Sequence, residues 1–225
     1  MTGTAPYFSV VIATYNRAGL ISRALASLAA QTEKDWEAIV VDDGSTDDTY
    51  KRMLPWLRKS DQIRYIGQPH HGEAPAKNKG ITLAMGKFIT FLDSDDEYDP
   101  VHLATRRAVL TRDPSVKFVY GGAKIIGNQY VPDRFDPTKR INLKNCVIGG
   151  TFFIETETAK CLGGFRDLRL GADADLFERA EASGIRMLKM RRQTYIYHRE
   201  ENGSITQSTF LSPDPKDQPP GSKIL

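Results

Sequence analysis

Short apolar runs alternate with amphipathic stretches along the first half of the chain. Strand-sized runs of apolar residues lie at 8–12, 38–41, 63–66, 88–92 and 117–120. Between them, apolar residues recur three and four positions apart, as on one face of a helix, at 21–28, 50–57 and 74–85. Pro55 lies inside the second of these helical patterns and predicts a kink. The alternation predicts an α/β fold with a mostly parallel central sheet flanked by helices on both faces.

The pattern is looser after Gly121, where we expect loops and short strands. Regular patterns return as a strand at 149–154, a helix at 174–183 that Gly184 would end, and a strand at 187–197. From Ser212 onward the sequence holds four prolines and little that is apolar, which predicts a disordered tail over 212–225. We therefore expect a single domain over 1–211, with halves at about 7–121 and 122–211.

Composition narrows the class of protein. The chain has 225 residues, 40% of them hydrophobic, with a net charge of +3, which indicates a globular protein and gives no sign of nucleic-acid binding. No apolar run approaches the roughly 20 residues that span a bilayer, and no signal peptide is recognisable. Two cysteines do not form a disulfide framework. We expect a cytoplasmic protein with reduced thiols.

Carboxylates follow two of the predicted strands. Asp42 and Asp43 come directly after the strand at 38–41, and Asp93, Asp95 and Asp96 follow the strand at 88–92. Ligands of open α/β sheets bind beyond the carboxyl ends of the strands, so these side chains should share one rim. Clustered carboxylates repel one another unless a cation neutralises them, and their oxygens suit Mg²⁺ or Mn²⁺. The pattern favours a metal that bridges to an anionic ligand such as a diphosphate. Taken singly, the first segment is also typical of a turn before a helix, and the second of a solvated loop.

Other uses of such a rim lack their motifs. The sequence contains no phosphate-binding loop, no dinucleotide-binding glycine pattern after the first strand and no nucleophile elbow. His70 and His71 are adjacent loop residues, which rarely converge on one ion, and we expect them in a solvated loop.

Three segments in order, at 10–17, 40–47 and 86–96, resemble the signatures of inverting glycosyltransferases of family 2. The resemblance extends from about residue 8 to 206. It implies a GT-A-like (nucleotide-diphospho-sugar transferase) fold with a small mixed subregion on the acceptor side.

The resemblance also implies a nucleotide site and a metal site. Tyr15 would stack on the nucleobase, Asp43 would accept a hydrogen bond from it, and Asp95 would be the direct ligand of the cation. The implied nucleotide-binding residues are Ala13, Thr14, Tyr15, Asp43, Lys77, Asp93 and Ser94. The implied metal ligands are Asp95, Asp93 and His198, although His198 is equally typical of a surface histidine.

The catalytic base implied by the resemblance is Asp173, in the segment at 171–176. Inverting transfer is a single displacement, so it needs one carboxylate to remove the acceptor proton and no covalent nucleophile. Asp175 is the competing candidate, but two residues later on a helix it should point to a different face and pair elsewhere.

These features together predict a metal-dependent inverting glycosyltransferase that uses Mn²⁺ or Mg²⁺ and moves one sugar from a nucleotide sugar, expected to be a UDP-sugar, to an acceptor hydroxyl. The acceptor would be a glycan, a lipid-linked sugar or another hydroxyl compound, and a peripheral contact at the inner face of the membrane is compatible with it. A nucleotidyltransferase and a catalytically silent nucleotide-sugar-binding scaffold remain the alternatives.

Six basic residues in the second half could frame an anionic acceptor or a membrane lipid phosphate, or simply form a solvated face. They are Arg134, Lys139, Arg140, Lys144, Arg166 and Arg169.

Overall fold

The computed structural model of the protein describes residues 5–200. Within them, strands and helices alternate along the first half and strands are shorter in the second. The strands are β1 (Phe8–Thr14), β2 (Trp36–Asp42), β3 (Ile63–Gly67), β4 (Phe88–Phe91), β5 (Glu97–Tyr98), β6 (Phe118–Tyr120), β7 (Ala123–Gly127), β8 (Tyr130–Pro132), β9 (Arg140–Asn142), β10 (Phe153–Glu155), β11 (Met187–Lys189) and β12 (Tyr195–Arg199). The helices are α1 (Ile21–Ala29), α2 (Thr49–Lys59), α3 (Glu73–Leu83), α4 (His102–Arg112), α5 (Thr156–Cys161) and α6 (Ala172–Ala182), with 3₁₀ turns at Leu143–Asn145 and Gly149–Thr151.

Seven strands form the central sheet in the order β11-β6-β10-β4-β1-β2-β3. All neighbouring pairs are parallel except those of β10, which runs antiparallel to both β4 and β6. A second sheet has the order β5-β12-β7, and β8 pairs with β9 as a hairpin. The mostly parallel central sheet is therefore confirmed, and the smaller sheets are formed mainly by strands that follow Gly121.

Both faces of the central sheet are covered because its inner strands are apolar at successive positions. Val10 and Ile12 point into the core formed with α1, α2 and α4, whereas Val11 points into the core formed with α3, α5 and α6. This arrangement is the reason that β1 and β2 are almost continuously apolar, as expected of strands buried on both sides.

The structure corrects three sequence predictions and adds one helix that was not predicted. The helix predicted at 74–85 runs instead over Glu73–Leu83, and α4 was not predicted at all. The strand predicted at 149–154 is a 3₁₀ turn followed by β10. The single strand predicted at 187–197 is two strands, β11 and β12, which belong to different sheets.

Pro55 does not end its helix, because α2 continues past it to Lys59. The kink expected at Pro55 stays a prediction. Cys146 and Cys161 are free thiols in the structure. The predicted tail at 212–225 lies outside the described residues.

Candidate active site

The acidic segments predicted from the strand ends meet at one edge of the central sheet. β4, β1 and β2 are adjacent and parallel, so their carboxyl ends lie side by side. Thr14, at the end of β1, is paired with Asp42, at the end of β2, and its carbonyl accepts a hydrogen bond from the Asp43 N–H at 2.9 Å. Ala13 and Thr14 thus lie at this edge of the sheet, and their part in nucleotide binding stays a prediction.

Asn16 joins the loops that follow β1 and β2. It adopts a left-handed backbone conformation, with φ of 51°, which asparagine tolerates better than most residues. Its side-chain oxygen accepts from the Thr46 N–H at 2.8 Å, and its own N–H donates to Ser45 Oγ at 2.8 Å. Asn16 therefore holds the loop after β1 against the loop after β2. The sequence predicted a turn at Asn16 but not this contact between the two loops.

Asp43 is buried, and its carboxylate is already well supplied with donors. Oδ1 accepts from Gln68 Nε2 at 2.7 Å and from the His71 N–H at 3.0 Å. Oδ2 accepts from the Gly72 N–H at 2.7 Å and lies 2.7 Å from His70 Nδ1. A nucleobase N–H that reached Asp43 would have to compete with these groups.

Tyr15 is covered on one ring face by the same segment. The His70 ring stacks on it with the centroids 4.1 Å apart and the planes inclined by 22°. His70 and His71 lie in the loop before α3 and are exposed, as expected, although the His70 ring also contacts Tyr15 and Asp43. The His70 ring thus lies beside both predicted base-binding side chains.

A second acidic group lies at residues 93–96, after β4. Asp96 is fully buried and accepts from the Tyr195 hydroxyl at 2.6 Å and from the His198 N–H at 2.8 Å. Burial, together with Asp93, raises the pKa of Asp96 well above its usual range. Asp96 thus ties the acidic loop to β12, and the burial of such a carboxyl was not evident in the sequence.

Asp95 is closer to solvent than Asp96. Burial and the neighbouring Asp93 raise the pKa of Asp95, while Arg17, 3.7 Å away, opposes the shift. Ser94, between the two aspartates, is buried. Burial is the main cause of this shift and the charge of Asp93 adds to it, so a cation bound nearby would lower the pKa of Asp95 again.

Lys77, on α3, lies beside the acidic loop. Its Nζ is 2.5 Å from Glu73 Oε1 and 3.0 Å from Asp93 Oδ1, and its side chain is buried. Burial alone would lower the pKa of Lys77, but Asp93 and Glu73 together raise it well above its usual range. Lys77 therefore stays charged, and it holds the Asp93 carboxylate in place. Glu73 is a member of this group that sequence reasoning did not identify.

Asp173 lies in the first turn of α6. The helix begins directly after Gly171, which has a left-handed backbone conformation with φ of 79°. Oδ2 accepts from the Gly149 N–H at 2.8 Å. Burial raises the pKa of Asp173 to about 6, and the positive charge of Lys77 works against that rise. A carboxylate with this pKa is ionised at neutral pH and still basic enough to accept a proton.

Gly149 has no room for a side chain, because a Cβ there would lie 2.4 Å from Asp173 Oδ1. This close approach lets the backbone itself hold the carboxylate. Asp175, the competing candidate for the base, pairs with Arg166 at 3.0 Å and with Arg179 at 2.7 Å. The expectation that Asp175 points elsewhere agrees with these contacts.

His198 lies on β12, with Nε2 2.7 Å from Glu97 Oε1. Within residues 5–200, the structure contains no group of three histidine, cysteine or acidic side chains arranged to hold a metal ion. Asp93 and Asp95 supply carboxylate oxygens, which suit Mg²⁺ and Mn²⁺, and such ions are commonly held by one or two carboxylates with substrate phosphates completing the shell. The donor chemistry thus fits a cation that arrives with a diphosphate; His198 as a ligand stays a prediction.

No helix among residues 5–200 is long and apolar enough to cross a membrane.

Comparison with known proteins gives a consistent result. The sequence profile described as Glycosyl transferase family 2 matches residues 9–162. An Escherichia coli protein, UDP-Glc:alpha-D-GlcNAc-diphosphoundecaprenol beta-1,3-glucosyltransferase, is 32% identical over 146 residues, which are 63% of this chain and 56% of that protein. The chain therefore spans little more than half the length of this curated relative.

Two solved structures are similar in fold. S. aureus TarS (residues 1–349, in complex with UDP-GlcNAc) superposes with a TM-score of 0.74 at 24% identity, over 88% of this chain and 60% of that one. The mannosyltransferase PcManGT from Pyrobaculum calidifontis, in complex with GDP-Man and Mn²⁺, gives a TM-score of 0.70 at 23% identity, over 89% and 59%.

Proposed function

We propose that this chain, which belongs to glycosyl transferase family 2 and has the GT-A fold, transfers one sugar from a nucleotide sugar to an acceptor hydroxyl with inversion at the anomeric carbon. The observation that carries the proposal is the position of Asp173. This carboxylate, with a pKa of about 6, lies close enough to Lys77 and Asp93 for each to shift its pKa. A basic group and an acidic rim suited to a nucleotide therefore belong to one site.

In the proposed reaction, the acceptor oxygen attacks the anomeric carbon of the donor sugar. A bond forms between these two atoms while the bond from the anomeric carbon to the diphosphate oxygen breaks. The hydroxyl proton passes to Asp173, which the Gly149 N–H holds in place, and the nucleoside diphosphate leaves. No covalent intermediate on the protein is required.

The proposal includes a divalent cation, Mn²⁺ or Mg²⁺, held by Asp95 and Asp93 together with the donor. When bound, such an ion would neutralise charge that develops on the leaving diphosphate. Asp93 and Asp95 lie on one short loop after β4, and their carboxylate oxygens support this assignment because oxygen ligands suit these ions. The Mn²⁺ in the structure of the Pyrobaculum calidifontis mannosyltransferase is further support.

We propose a UDP-sugar as the donor and a lipid-linked sugar as the acceptor. The printed name of the E. coli relative specifies UDP-Glc and a diphosphoundecaprenol-linked acceptor, and TarS was solved with UDP-GlcNAc. Because such an acceptor is anchored in the membrane, the proposal also places the protein in the cytoplasm, in contact with the inner face of the membrane.

Calorimetric titration with UDP, GDP and dTDP, each with and without Mn²⁺, tests the donor side. We expect metal-dependent binding of UDP and much weaker binding of the other two. Asp173→Asn should retain UDP binding and lose transfer, which separates an enzyme from a silent nucleotide-sugar-binding scaffold. Absence of binding by all three nucleotides would contradict the proposal.

A further inference from the structure

A cavity of about 450 Å³ lies where the central sheet meets the second sheet. Its walls come from the link between β6 and β7, from the segment around the 3₁₀ turn Leu143–Asn145, and from the residues that follow β11. The volume is in the range of small-molecule sites. None of the predicted nucleotide or metal residues lines it. The cavity is therefore separate from the donor rim, by which we mean the carboxyl ends of β1, β2 and β4 where the nucleotide sugar is proposed to bind.

The charged residues that line this cavity are all cationic. They are Lys124, Lys144, Lys189 and Arg191, and we call the cavity the basic pocket. All four residues are exposed, so the pocket is open to solvent on their side. Among residues 5–200 no carboxylate forms an ion pair with any of them, in contrast to Lys139, which pairs with Asp136, and Arg134, which pairs with Glu178. Four uncompensated cations around one concavity favour an anionic ligand.

The rest of the lining is largely apolar. Ile125, Leu143, Val147, Ile148 and Met190 contribute to it. A free inorganic anion would gain nothing from these side chains, whereas an anion that carries a hydrocarbon chain would bury apolar surface against them. The combination therefore matches an amphiphilic anion better than a simple one.

The basic pocket adjoins the proposed catalytic base. Ile148 and Thr151 line the pocket, and Gly149, between them, donates its N–H to Asp173. A single 3₁₀ turn, Gly149–Thr151, thus separates a ligand in the pocket from the carboxylate that would take the acceptor proton. The Thr151 hydroxyl accepts from the Gly121 N–H at 2.9 Å and donates to the Ile148 carbonyl at 2.7 Å, which ties this turn to the opposite wall.

We infer that the basic pocket binds the diphosphate group of a lipid-linked acceptor, with the adjoining lipid chain against its apolar lining, and so presents the acceptor sugar to Asp173. The inference rests on the proposed function and adds the place on this chain where the proposed acceptor binds. Of the six basic residues that the sequence offered for an acceptor, only Lys144 lines the pocket.

Binding of farnesyl diphosphate, measured by calorimetry with UDP and Mn²⁺ at saturation so that the donor site is filled, tests the inference. We expect wild-type protein to bind it and the variant Lys124→Gln/Lys144→Gln to bind it about tenfold more weakly or worse, a loss of about 1.4 kcal/mol. The matched control Lys51→Gln/Lys59→Gln removes the same charge from the exposed face of α2 and should bind like wild type. Inorganic pyrophosphate should bind more weakly than farnesyl diphosphate.

Three results would overturn the inference: no binding of farnesyl diphosphate by wild type, equal weakening in both variants, or equally tight binding of inorganic pyrophosphate, which would indicate a site for a free anion. Binding to anionic lipid vesicles without binding of farnesyl diphosphate would likewise replace it with a membrane-surface contact. UDP titration without farnesyl diphosphate is the separate readout for the proposed function. If UDP binds and farnesyl diphosphate does not, only the acceptor inference is lost.

Discussion

At the scale of single residues, Asp173 determines how the reaction should depend on pH. Its pKa of about 6 lies above the ordinary value of 3.8, so the carboxylate becomes an available base only as pH rises through about 6. We expect kcat/KM to fall with pH below that value. A steady-state pH profile at saturating Mn²⁺ measures it, and a profile that is flat between pH 5 and 7 (about one unit on each side) would contradict the assignment.

The variant Asp173→Asn should lower kcat by about 10²–10⁴-fold, the usual contribution of a general base. Its thermal transition at neutral pH should not fall, because a carboxyl whose pKa is raised by folding destabilises the fold once it is ionised. Asp175→Asn is the matched control, since Asp175 pairs with Arg166 and Arg179 and not with the site. It should keep the wild-type pH profile; loss of transfer in this variant instead would exchange the roles of the two aspartates.

His70 occupies the space next to the two predicted base-binding residues. Its ring stacks on Tyr15 and approaches Asp43, so a nucleobase that used both must displace it. We expect His70→Ala to raise the affinity for UDP several-fold, at the level of about 1 kcal/mol for one stacked pair. Calorimetry with UDP and Mn²⁺ measures the change.

His71→Ala provides the control for this experiment. Asp43 is reached by the backbone N–H of His71 and not by its side chain, so the variant should bind UDP like wild type. Weaker UDP binding by His70→Ala would show that the imidazole contacts the nucleotide instead of competing with it.

At the scale of elements, α3 approaches β1 unusually closely. A Cβ on Gly80 would lie 2.3 Å from Val11 Cγ1. In an exposed helix, Gly→Ala stabilises by about 0.5–1 kcal/mol, but overpacking of a core costs about 1–3 kcal/mol. We therefore expect Gly80→Ala to lower the melting temperature, by roughly 2–4 °C for each kcal/mol of net loss.

Lys79→Ala, an exposed position on the same helix, should leave the melting temperature within about a degree, since such surface changes lie within about 0.5 kcal/mol. The pair separates packing from helix propensity. An increase in melting temperature for Gly80→Ala would show that α3 can move away from β1, and with it Lys77.

The sequence predicted elements well where burial and apolar character coincide. β1, β2 and β4 are mostly apolar and almost entirely buried, and the acidic residues at one edge of the sheet were predicted from the ends of these strands. α4 was not predicted because its buried face includes His102 and Arg106, so its buried positions do not show the apolar periodicity of a helix. Arg106 is fully buried and donates to the Gly121 carbonyl and the Thr194 hydroxyl.

Two further errors have steric and topological causes. Residues 149–151 form a turn that brings Gly150 against the Tyr195 ring, where a Cβ would lie only 2.2 Å away. Residues 187–199 cross between sheets, which apolar content cannot reveal. The contact of His70 with Tyr15 joins segments that are distant in sequence, and no local pattern encodes it.

At the scale of the whole molecule, a ligand that binds only the folded state raises its stability. UDP with Mn²⁺ should therefore raise the melting temperature, with about 2.7 kcal/mol of stabilisation when UDP is near 100 times its Kd. Excess EDTA should remove most of this increase. Differential scanning fluorimetry measures both.

Asp95→Asn should reduce the metal-dependent part of this increase while leaving the ligand-free transition near that of wild type. Lys51→Gln, at an exposed position of α2, serves as the variant expected to change neither. An undiminished increase with Asp95→Asn would remove Asp95 from the proposed metal site.

The 3₁₀ turn Gly149–Thr151 has a consequence for how substrate preference can diverge. The donor rim is built from the chain before residue 97, whereas the basic pocket is built from residues 120–151 and 189–193; the turn is the narrow wall between them. Randomising residues 124–147 in a directed-evolution library should therefore recover enzymes with altered acceptor choice and an unchanged nucleotide requirement. Acceptor specificity and donor specificity would then evolve independently of each other in the same protein.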